Sequence, residues 1–551
     1  MPEISSAIRL RQWLPRVAAA ILIPVLVLGV VEIALRVVGV GVPTGVTLPC
    51  TVQGRPASCY NLSFITPFFP PGMVRTPQLY AIPDEKPQNT YRIVVLGESA
   101  AMGDPDPAYA FSRYLELMLR ARFPDMRFEV INTGSVAINS HVLLPIARGL
   151  SKHNIDLFII YSGNNEVVGP YGPATALTAS SMSLPVIRSN ILVRSTRIGQ
   201  LLTKIGTKKR EWGGMGMFMD KQVPISSPLM KDVYHNFESN LRETIAVAQR
   251  SGARVIVSTV GTNVKDCAPF GSMHRDDLSQ DALRTWTEFV QQGSALEESG
   301  RYAEALKRYL SASEIDNQYA ELEFRIARCL LTLGDPAAAK MHYIRARDLD
   351  TLRFRADGRI NEINRSVAAA MGAELIDSDA LLNSASLNGI VGSDLIYEHV
   401  HLTPFGNYLL ARAMFLQIAG KMAPAALQRE EDVLPEDVCE RLLALTNHDR
   451  ARLAAELLVR MYEPPFTTQL NHSDQLQRLS FESTVGNETP YDTITKYQWA
   501  IARRPDDWVL HYKFGFFLFD YNRAAAVQQF QIGRPWDGAP VFTPFDEKRA
   551  N

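Results

Sequence analysis

The sequence predicts an α/β protein whose parallel sheet carries helices on both faces. Between about residues 90 and 261, short β-branched and aromatic runs alternate with segments whose apolar residues recur at helical intervals. Strands that alternate with helices build parallel sheets, because each crossover must return the chain to the same end of the sheet. At 551 residues the chain exceeds what one hydrophobic core organises, so several domains are expected.

The first predicted element is a membrane-spanning helix over residues 17–42, which ends a first segment of residues 1–42. Only Glu32 and Arg36 interrupt this apolar stretch of 26 residues, and a bilayer core needs roughly 20 residues of helix. Three arginines precede the helix, and no basic residue follows Arg36 until Arg55. The positive-inside rule then predicts a cytoplasmic N-terminus and an extracytoplasmic remainder, periplasmic in a Gram-negative bacterium. A cleaved signal peptide is the alternative, although the segment is long for one and lacks a small-residue cleavage site.

Residues 43–89 are rich in Pro, Gly and Thr and are expected to form an extended lead-in. Cys50 and Cys59 flank a short loop there. Export would allow them to form a disulfide, but their spacing alone fits two free thiols equally well. The five cysteines include no CxxC pair and no His/Cys cluster at zinc spacing, so we expect no metal site and no cofactor.

The overall charge excludes some partners. Lys and Arg number 57 against 58 Asp and Glu, and the formal net charge is −1. This balance provides no general attraction to nucleic acid or to anionic lipid, and no long basic run supplies a local one. We therefore expect no nucleic-acid partner.

The α/β domain is predicted in two parts, residues 90–285 and 353–430. Its elements are predicted in chain order as a strand at 91–97, a helix at 111–123, a strand at 127–132, a helix at 142–154, and strands at 155–163, 253–261 and 373–379.

An internal repeat lies between the two parts, at 286–352. Residues 298–316 and 332–350 align at an offset of 34, which superposes five identical pairs: Gly300 and Gly334, Ala305 and Ala339, Tyr309 and Tyr343, Ala312 and Ala346, and Asp316 and Asp350. This pattern resembles the tetratricopeptide repeat and predicts an all-α insertion that binds a protein partner. A weaker echo at 491–507 and 522–530 predicts a helical C-terminal region, 431–551, with a degenerate repeat.

Polar segments follow the predicted strands. Ser99 comes after the first strand, residues 131–140 end and follow the second, and residues 162–166 follow the third. The carboxyl ends of parallel strands share one edge of a sheet, so these segments are expected to meet. A later loop contains Glu398 three residues before His401, a spacing that lets the carboxylate orient the imidazole for serine hydrolysis. His399 is the competing base.

Together these segments resemble the SGNH (GDSL-like) hydrolase superfamily. Its blocks match Gly97-Glu98-Ser99, Asn132-Thr133-Gly134-Ser135-Val136-Ala137, Gly163-Asn164-Asn165-Glu166 and Glu398-His399-Val400-His401. The resemblance implies a three-layer α/β/α, flavodoxin-like fold. It also implies that Ser99 is the nucleophile, that His401 is the general base and then the general acid, and that Glu398 orients it.

The resemblance further implies an oxyanion hole made by the backbone N–H groups of Ser99 and Ala137 and the side-chain amide of Asn165. Gly134 and Asn263 are candidate substrate contacts. The chain departs from the family pattern in having Glu for Asp at 98, 166 and 398, and Ala137 for a glycine. Alanine keeps the backbone donor if φ is negative there, but is strained if the site needs a positive φ.

The implied activity is cleavage of an acyl ester, such as an acetyl group on an envelope glycan or lipid, through an acyl-Ser99 intermediate. Transfer of that acyl group to a sugar hydroxyl would use the same intermediate and is the first alternative. An inert scaffold that acts through its helical repeats is the second.

Overall fold

The computed structural model describes residues 4–70, 72–73, 78–178, 183–206, 211–423, 433–486 and 488–540. The chain forms two compact units. One contains Met1–Gly45, Asn61–Val74 and Ser183–Glu211, and the other contains Val46–Tyr60, Arg75–Met182 and Trp212–Asn551.

The strands and helices follow one another along the described residues. The strands are β1 (Thr47–Val52), β2 (Arg55–Tyr60), β3 (Ala81–Pro83), β4 (Thr90–Gly97), β5 (Arg127–Asn132), β6 (Leu157–Tyr161), β7 (Arg254–Ser258) and β8 (Glu374–Ile376). The helices are α1 (Ile4–Val37), α2 (Ser99–Met102), α3 (Phe111–Arg122), α4 (Ser140–Leu150), α5 (Leu184–Ser195), α6 (Arg197–Gly206), α7 (Leu229–Arg250), α8 (Gln280–Glu298), α9 (Tyr302–Ile315), α10 (Ala320–Thr332), α11 (Pro336–Leu349), α12 (Gly358–Met371), α13 (Ser378–Ala385), α14 (Pro404–Met422), α15 (Glu436–Leu442), α16 (Asn447–Met461), α17 (His472–Thr484), α18 (Pro490–Arg503), α19 (Trp508–Leu518) and α20 (Arg523–Ile532).

The larger unit is built on the predicted parallel sheet, which the structure confirms. Its strands lie in the order β5-β4-β6-β7-β8, and every neighbouring pair is parallel. The strand cores are buried apolar runs, as expected where helices cover both faces. Helix α3 packs on α14, while α4 and α12 pack on α7. This strand order is the flavodoxin-like one, whose direction reverses between β4 and β6, the place where such sheets bind ligands.

The predicted lead-in, residues 43–89, contains regular structure in part of its length. Strands β1, β2 and β3 form a small antiparallel sheet. Gln53 and Gly54 connect β1 to β2 with φ values of 50° and 74°, the backbone that a two-residue hairpin turn requires. Cys50 and Cys59 are disulfide-bonded across this hairpin. The sequence did not reveal the hairpin because a glutamine at positive φ is not a usual turn signal.

The insertion is all-α and contains the four helices α8–α11. Gly300 and Gly334 occupy equivalent turns with φ values of 76° and 87°, a conformation that favours glycine. The aligned Tyr309 and Tyr343 are both buried in apolar clusters with their repeat's alanines. The identities seen in the sequence therefore fall at equivalent structural positions.

The C-terminal region is also helical in its described residues, from α15 to α20. Tyr497 on α18, Phe514 on α19 and Phe530 on α20 share one buried cluster. Tyr497 and Phe530 are the residues that the weaker sequence echo superposes, at an offset of 33.

The smaller unit contains α1, the segment 61–74 and helices α5 and α6. Within the described residues, α1 holds the one helical stretch long and apolar enough to cross a membrane, Arg16–Val37, with 22 residues and a hydropathy of 2.6. The helix ends at Val37 rather than at residue 42, because Gly39 and Gly41 take φ values of 77° and 75°.

Candidate active site

Ser99 lies at the sharp turn that joins β4 to α2. It is the first residue of α2, and only Glu98 separates it from the end of β4. Gly97 is required here, because a Cβ would lie 2.5 Å from the carbonyl oxygen of Tyr161 on the neighbouring strand β6. The turn therefore places the serine hydroxyl at the carboxyl edge of the sheet, beside the point where the strand order reverses.

The structure brings Ser99, His401 and Glu398 together. His401 Nε2 lies 2.8 Å from Ser99 Oγ, although 302 residues separate them in sequence. His401 Nδ1 faces Glu398 Oε1 within hydrogen-bonding distance. All three residues are buried, so water screens their mutual interactions weakly. This is the relative arrangement that a nucleophile, a base and an orienting carboxylate need.

The Glu398 carboxylate also bonds to the backbone of the loop that carries His401. Ile396 and Leu402 form an isolated antiparallel bridge, and the Tyr397 N–H donates to the His401 carbonyl at 2.8 Å. Inside this turn, Glu398 Oε2 accepts backbone N–H groups from the next residues, including Val400 at 3.1 Å. Glu398 thus fixes the backbone of the loop as well as the imidazole.

The buried charges are arranged to keep Glu398 ionised. Burial alone would raise the pKa of Glu398, but His399 and His401 hold it well below its usual range. Burial alone would lower the pKa of His401, and the carboxylates of Glu398 and Asp104 reverse this effect and raise it. A fixed negative charge behind the imidazole stabilises the imidazolium that forms when a serine proton is taken up.

His399, the competing base, lies in an aromatic cluster. Its ring makes edge-on contacts with Phe270, Phe354 and Phe466, and burial lowers its pKa. Its Nδ1 lies 2.8 Å from Glu398 Oε2. His401, rather than His399, approaches Ser99.

One group of described residues brings metal-ligand atoms within 4.8 Å of one another, and it is Glu398, His399 and His401. In this group the Nδ1 atoms of both histidines face oxygens of the same carboxylate. A carboxylate shared by two imidazoles accounts for the cluster. The absence of a metal and of a cofactor remains a sequence-based prediction.

The three candidate oxyanion donors lie on separate elements. The Ser99 N–H is at the start of α2, where helical N–H groups have no partner inside the helix. The Asn165 side chain donates to the Ile138 carbonyl at 3.1 Å, which holds the amide beside Ala137 and leaves its second hydrogen available. Ala137 has a φ of 59°, so it adopts the strained conformation that the family's glycine would tolerate.

The backbone of Ala137 gives a stability prediction. Replacing Ala137 with glycine is expected to raise the free energy of unfolding by up to about 1 kcal/mol, because glycine adopts a positive φ without a Cβ clash. Urea unfolding measures the change. The control is Ala147→Gly in α4, where replacing a buried helical alanine should lower the free energy of unfolding by about 1 kcal/mol or more. Equal losses for both variants would contradict the prediction.

The other two glutamates hold the loops of the site. Glu98 accepts backbone N–H groups from Gly163, Asn164 and Asn165, the first two at 2.9 Å. Glu166 accepts the N–H and the hydroxyl of Ser140 at 2.8 and 2.7 Å. Burial raises the pKa of Glu166 to about 7; burial, with the nearby Glu166 carboxylate, also raises that of Glu98. Glu98 and Glu166 therefore each hold a neighbouring loop of the site.

The two candidate substrate contacts, Gly134 and Asn263, are packed against neighbouring protein groups, and their contact with substrate stays a prediction. A Cβ on Gly134 would lie 2.5 Å from the Met102 nitrogen, so Gly134 packs on the backbone of α2. Asn263 is fully buried; its amide donates to the Ile396 carbonyl and its side-chain oxygen accepts the Asp266 N–H. Both polar ends of Asn263 are thus bonded to the loops that surround it.

Two buried arginines lie near this loop, and Arg355 bonds to it directly. Arg355 donates to the carbonyls of Asn263 and Cys267 at 2.9 and 2.8 Å and pairs with Asp350. Arg353 pairs with Asp357 at 2.8 Å. Both arginines are buried and paired with carboxylates of the protein.

Sequence reasoning missed Asp104 and Arg460. Asp104 Oδ2 lies 3.2 Å from His401 Nε2, the same nitrogen that faces Ser99. Arg460, on α16, donates to Asp104 Oδ1 at 2.9 Å. Burial would raise the pKa of Asp104, but Arg460 and His401 lower it overall. The two residues are 356 positions apart, and an ion pair between distant segments leaves no local sequence signal.

The C-terminal helices also bond to the loop that follows Ser99 and to the loop that carries His401. Arg452 and Lys513 both pair with Asp106, two residues after Asp104. Arg478, on α17, donates to the Tyr397 carbonyl at 2.7 Å at the start of the histidine loop. The C-terminal region is therefore part of the scaffold of this site.

No family model and no curated protein matches the chain. Similar solved structures include LAE5, an alpha/beta hydrolase enzyme from the metagenome of Lake Arreo, Spain, with 12% identity, a TM-score of 0.29 and coverage of 60% of this chain and 95% of that one. A mutant of Axe2, an acetyl-xylooligosaccharide esterase from Geobacillus Stearmophilus, has 13% identity and a TM-score of 0.29, with coverage of 60% and 94%. A GDSL-like lipase from Bacteroides thetaiotaomicron has 10% identity and a TM-score of 0.27, with coverage of 60% and 88%. At these values, the chemistry of the site has to be inferred from its own geometry.

Proposed function

We propose that the chain is a membrane-anchored serine hydrolase of the SGNH type that cleaves acyl esters through an acyl-Ser99 intermediate. The observation that carries the proposal is the buried arrangement of Ser99 Oγ, 2.8 Å from His401 Nε2, with His401 Nδ1 on Glu398. A serine in this setting can lose its proton to the imidazole as it attacks a carbonyl carbon.

In the first half of the reaction, Ser99 Oγ bonds to the ester carbonyl carbon while His401 Nε2 takes the hydroxyl proton. The carbonyl oxygen becomes an oxyanion, for which the N–H groups of Ser99 and Ala137 and the Asn165 amide are the proposed donors. The bond to the alcohol oxygen then breaks. His401 gives its proton to that oxygen, so that the alcohol leaves and an acyl-Ser99 ester remains.

In the second half, a water molecule loses a proton to His401 as its oxygen attacks the acyl carbon. The bond to Ser99 Oγ breaks, the proton returns to Ser99, and a carboxylic acid leaves. Throughout, Glu398 stays ionised and fixes the tautomer of His401. If a sugar hydroxyl took the place of the water, the same steps would transfer the acyl group instead.

We assign Asp104 as a positioning residue that competes with Ser99 for the proton on His401. A protonated Nε2–H has two acceptors within reach, Ser99 Oγ at 2.8 Å and Asp104 Oδ2 at 3.2 Å. An imidazolium paired with Asp104 cannot accept the serine proton. The charged groups around this ring are Glu398 and Asp104, which favour protonation, and Arg460, which opposes it, with His399 in ring contact.

This assignment predicts opposite shifts in pH dependence for two variants. Catalysis needs neutral His401, so kcat/KM should rise with pH as His401 loses its proton. Asp104→Asn removes a carboxylate that raises the pKa of His401, and should move this rise to lower pH by about one unit. Arg460→Met removes a cation that lowers it, and should move the rise to higher pH. The measurement is kcat/KM for p-nitrophenyl acetate against pH, and shifts in the same direction would contradict the assignment.

The cellular setting is part of the proposal. The apolar stretch of α1 supports the proposed anchor, and the three arginines before it support a cytoplasmic N-terminus, so the proposed location of the hydrolase is outside the membrane. The disulfide between Cys50 and Cys59 fits that location, because disulfides persist in oxidising compartments. The proposed substrates are then acyl esters on envelope glycans or lipids. The tetratricopeptide-like insertion α8–α11 is the proposed surface for a protein partner.

The proposed function is tested by labelling the full-length protein in detergent with a serine-directed fluorophosphonate. We expect one modified residue, Ser99, located by mass spectrometry of the digested protein, and loss of p-nitrophenyl acetate cleavage in step with labelling. A control sample unfolded in urea should take up no label, since the reactivity depends on the folded triad. Labelling at another serine, or none in the folded protein, would overturn the proposal.

A further inference from the structure

Helices α5 and α6 form a hairpin in the smaller unit whose composition differs from the rest of the chain. The two helices contact each other, and α6 contacts α1. Residues 183–206 contain four basic side chains and no acidic one, whereas the whole chain is close to neutral. The basic residues are Arg188, Arg194, Arg197 and Lys204.

The hairpin also exposes large apolar side chains. Leu202 and Ile205 on α6 are 63% and 85% exposed, and they share a face because they are three residues apart. On α5, Val186 and Val193 are seven residues apart and exposed, and Leu192 is 69% exposed. Cations interspersed with exposed aliphatic side chains on short helices are the composition of a segment that lies in a membrane interface.

The hairpin is joined to the candidate membrane span by a charged residue. Glu32, within Arg16–Val37, accepts the N–H groups of Arg197 and Ile198 at 2.9 and 3.1 Å and pairs with Arg36 at 3.0 Å. An acidic side chain in a span needs such partners. Glu32 precedes the end of the span by five residues, or roughly 7 Å of helix, so α6 begins near the boundary of the apolar layer.

Further hydrogen bonds connect the hairpin to the residues that follow α1. The Gln200 side chain bonds both to the N–H and to the carbonyl of Val42, at 2.8 and 3.0 Å, and the Thr44 hydroxyl donates to the Ser195 carbonyl at 3.2 Å. The last residue of α5 and the first turn of α6 are therefore both attached to the residues that follow α1. If α1 crosses a bilayer, the hairpin cannot leave its surface.

We propose that the α5–α6 hairpin is a membrane-interface element that lies at the headgroup boundary of an anionic phospholipid bilayer. The exposed aliphatic side chains enter the acyl layer, and the exposed Lys204 and the half-buried Arg194 meet lipid phosphates. The inference rests on the proposed location of α1 in the membrane. It goes beyond a single-helix tether, because a hairpin that is fixed to α1 and lies in the interface restricts how the smaller unit tilts and rotates in the membrane.

The experiment uses the full-length protein reconstituted in vesicles of phosphatidylethanolamine and phosphatidylglycerol. Single cysteines carrying an environment-sensitive fluorophore are placed by Leu202→Cys and Ile205→Cys. The native free cysteines Cys267, Cys329 and Cys439 are buried, so labelling is directed to the new site. Two matched positions are labelled in the same way: Val25→Cys within α1, 60% exposed, and Leu387→Cys in the larger unit, a leucine that is 74% exposed.

Quenching by nitroxide-labelled lipids distinguishes the outcomes. We expect labels at 202 and 205 to emit at shorter wavelength and to lose more than about half of their fluorescence to shallow nitroxides, with the label at 25 quenched by deep nitroxides and the label at 387 unaffected. Quenching at 25 with positions 202 and 205 behaving like 387 would overturn the interface proposal and leave the anchor intact. No quenching at 25 would overturn the anchor itself, and with it the inference.

Discussion

Replacing Ser99 with alanine is expected to lower kcat for p-nitrophenyl acetate by about 10⁵-fold to 10⁶-fold, the loss typical when a serine hydrolase loses its nucleophile. The expected loss follows from the removal of one atom, Ser99 Oγ. Ser99 Oγ is the group that His401 Nε2 faces at 2.8 Å, and no acyl-enzyme can form without it. The measurement is initial velocity with full-length protein in detergent, together with the loss of fluorophosphonate labelling.

The control for this variant is Ser384→Ala. Ser384 is an exposed serine on α13 whose hydroxyl donates only to the Leu381 carbonyl of its own helix, so its removal should leave velocity unchanged within about twofold. The Ser99 variant should keep its thermal unfolding temperature, since it loses one hydroxyl. Activity that survives in Ser99→Ala with the fold intact would favour the scaffold hypothesis over the enzyme.

The sequence was sufficient for the elements that depend on local pattern. Each predicted strand of the parallel sheet was found, because buried strands between amphipathic helices have a distinctive alternation. The approach of Glu398 and His401 to Ser99 also followed from a local rule: loops after parallel strands meet at one edge, and a three-residue spacing lets one side chain reach the other. The roles of these residues remain predictions, but their proximity could be anticipated.

What the sequence did not reveal depends on contacts between distant segments. Asp104 and Arg460 meet across 356 positions, and neither stands in a motif. Asn263 was predicted as a candidate substrate contact, and its burial depends on the distant Ile396 carbonyl, to which its amide donates. The interface composition of α5 and α6 was also hidden, because its cations are spaced among apolar residues and form no run.

Replacing Glu398 with glutamine is expected to lower kcat by roughly 10³-fold to 10⁴-fold while the protein stays folded. The amide presents an N–H group to His401 Nδ1, which favours the tautomer that carries its proton on Nε2. That tautomer cannot take the proton of Ser99. The effect should persist at every pH where the native enzyme is active, because the low pKa of Glu398 keeps it ionised there. Recovery of the activity at high pH would contradict this role.

The variant Glu398→Asp tests whether the length of this side chain matters in addition to its negative charge. Oε1 faces His401 while Oε2 accepts backbone N–H groups of the residues that follow, so one side chain of this length serves both the ring and the loop. Aspartate keeps the charge but withdraws it by one methylene. A displacement of about 1 Å in such a site can cost about 10²-fold, so we expect a kcat between those of the native enzyme and Glu398→Gln, with the acid limb of the pH profile retained. If Glu398→Asp were as active as the native enzyme, the loop would have to adjust to the shorter side chain, and the glutamate here would be interchangeable with the aspartate of the family pattern.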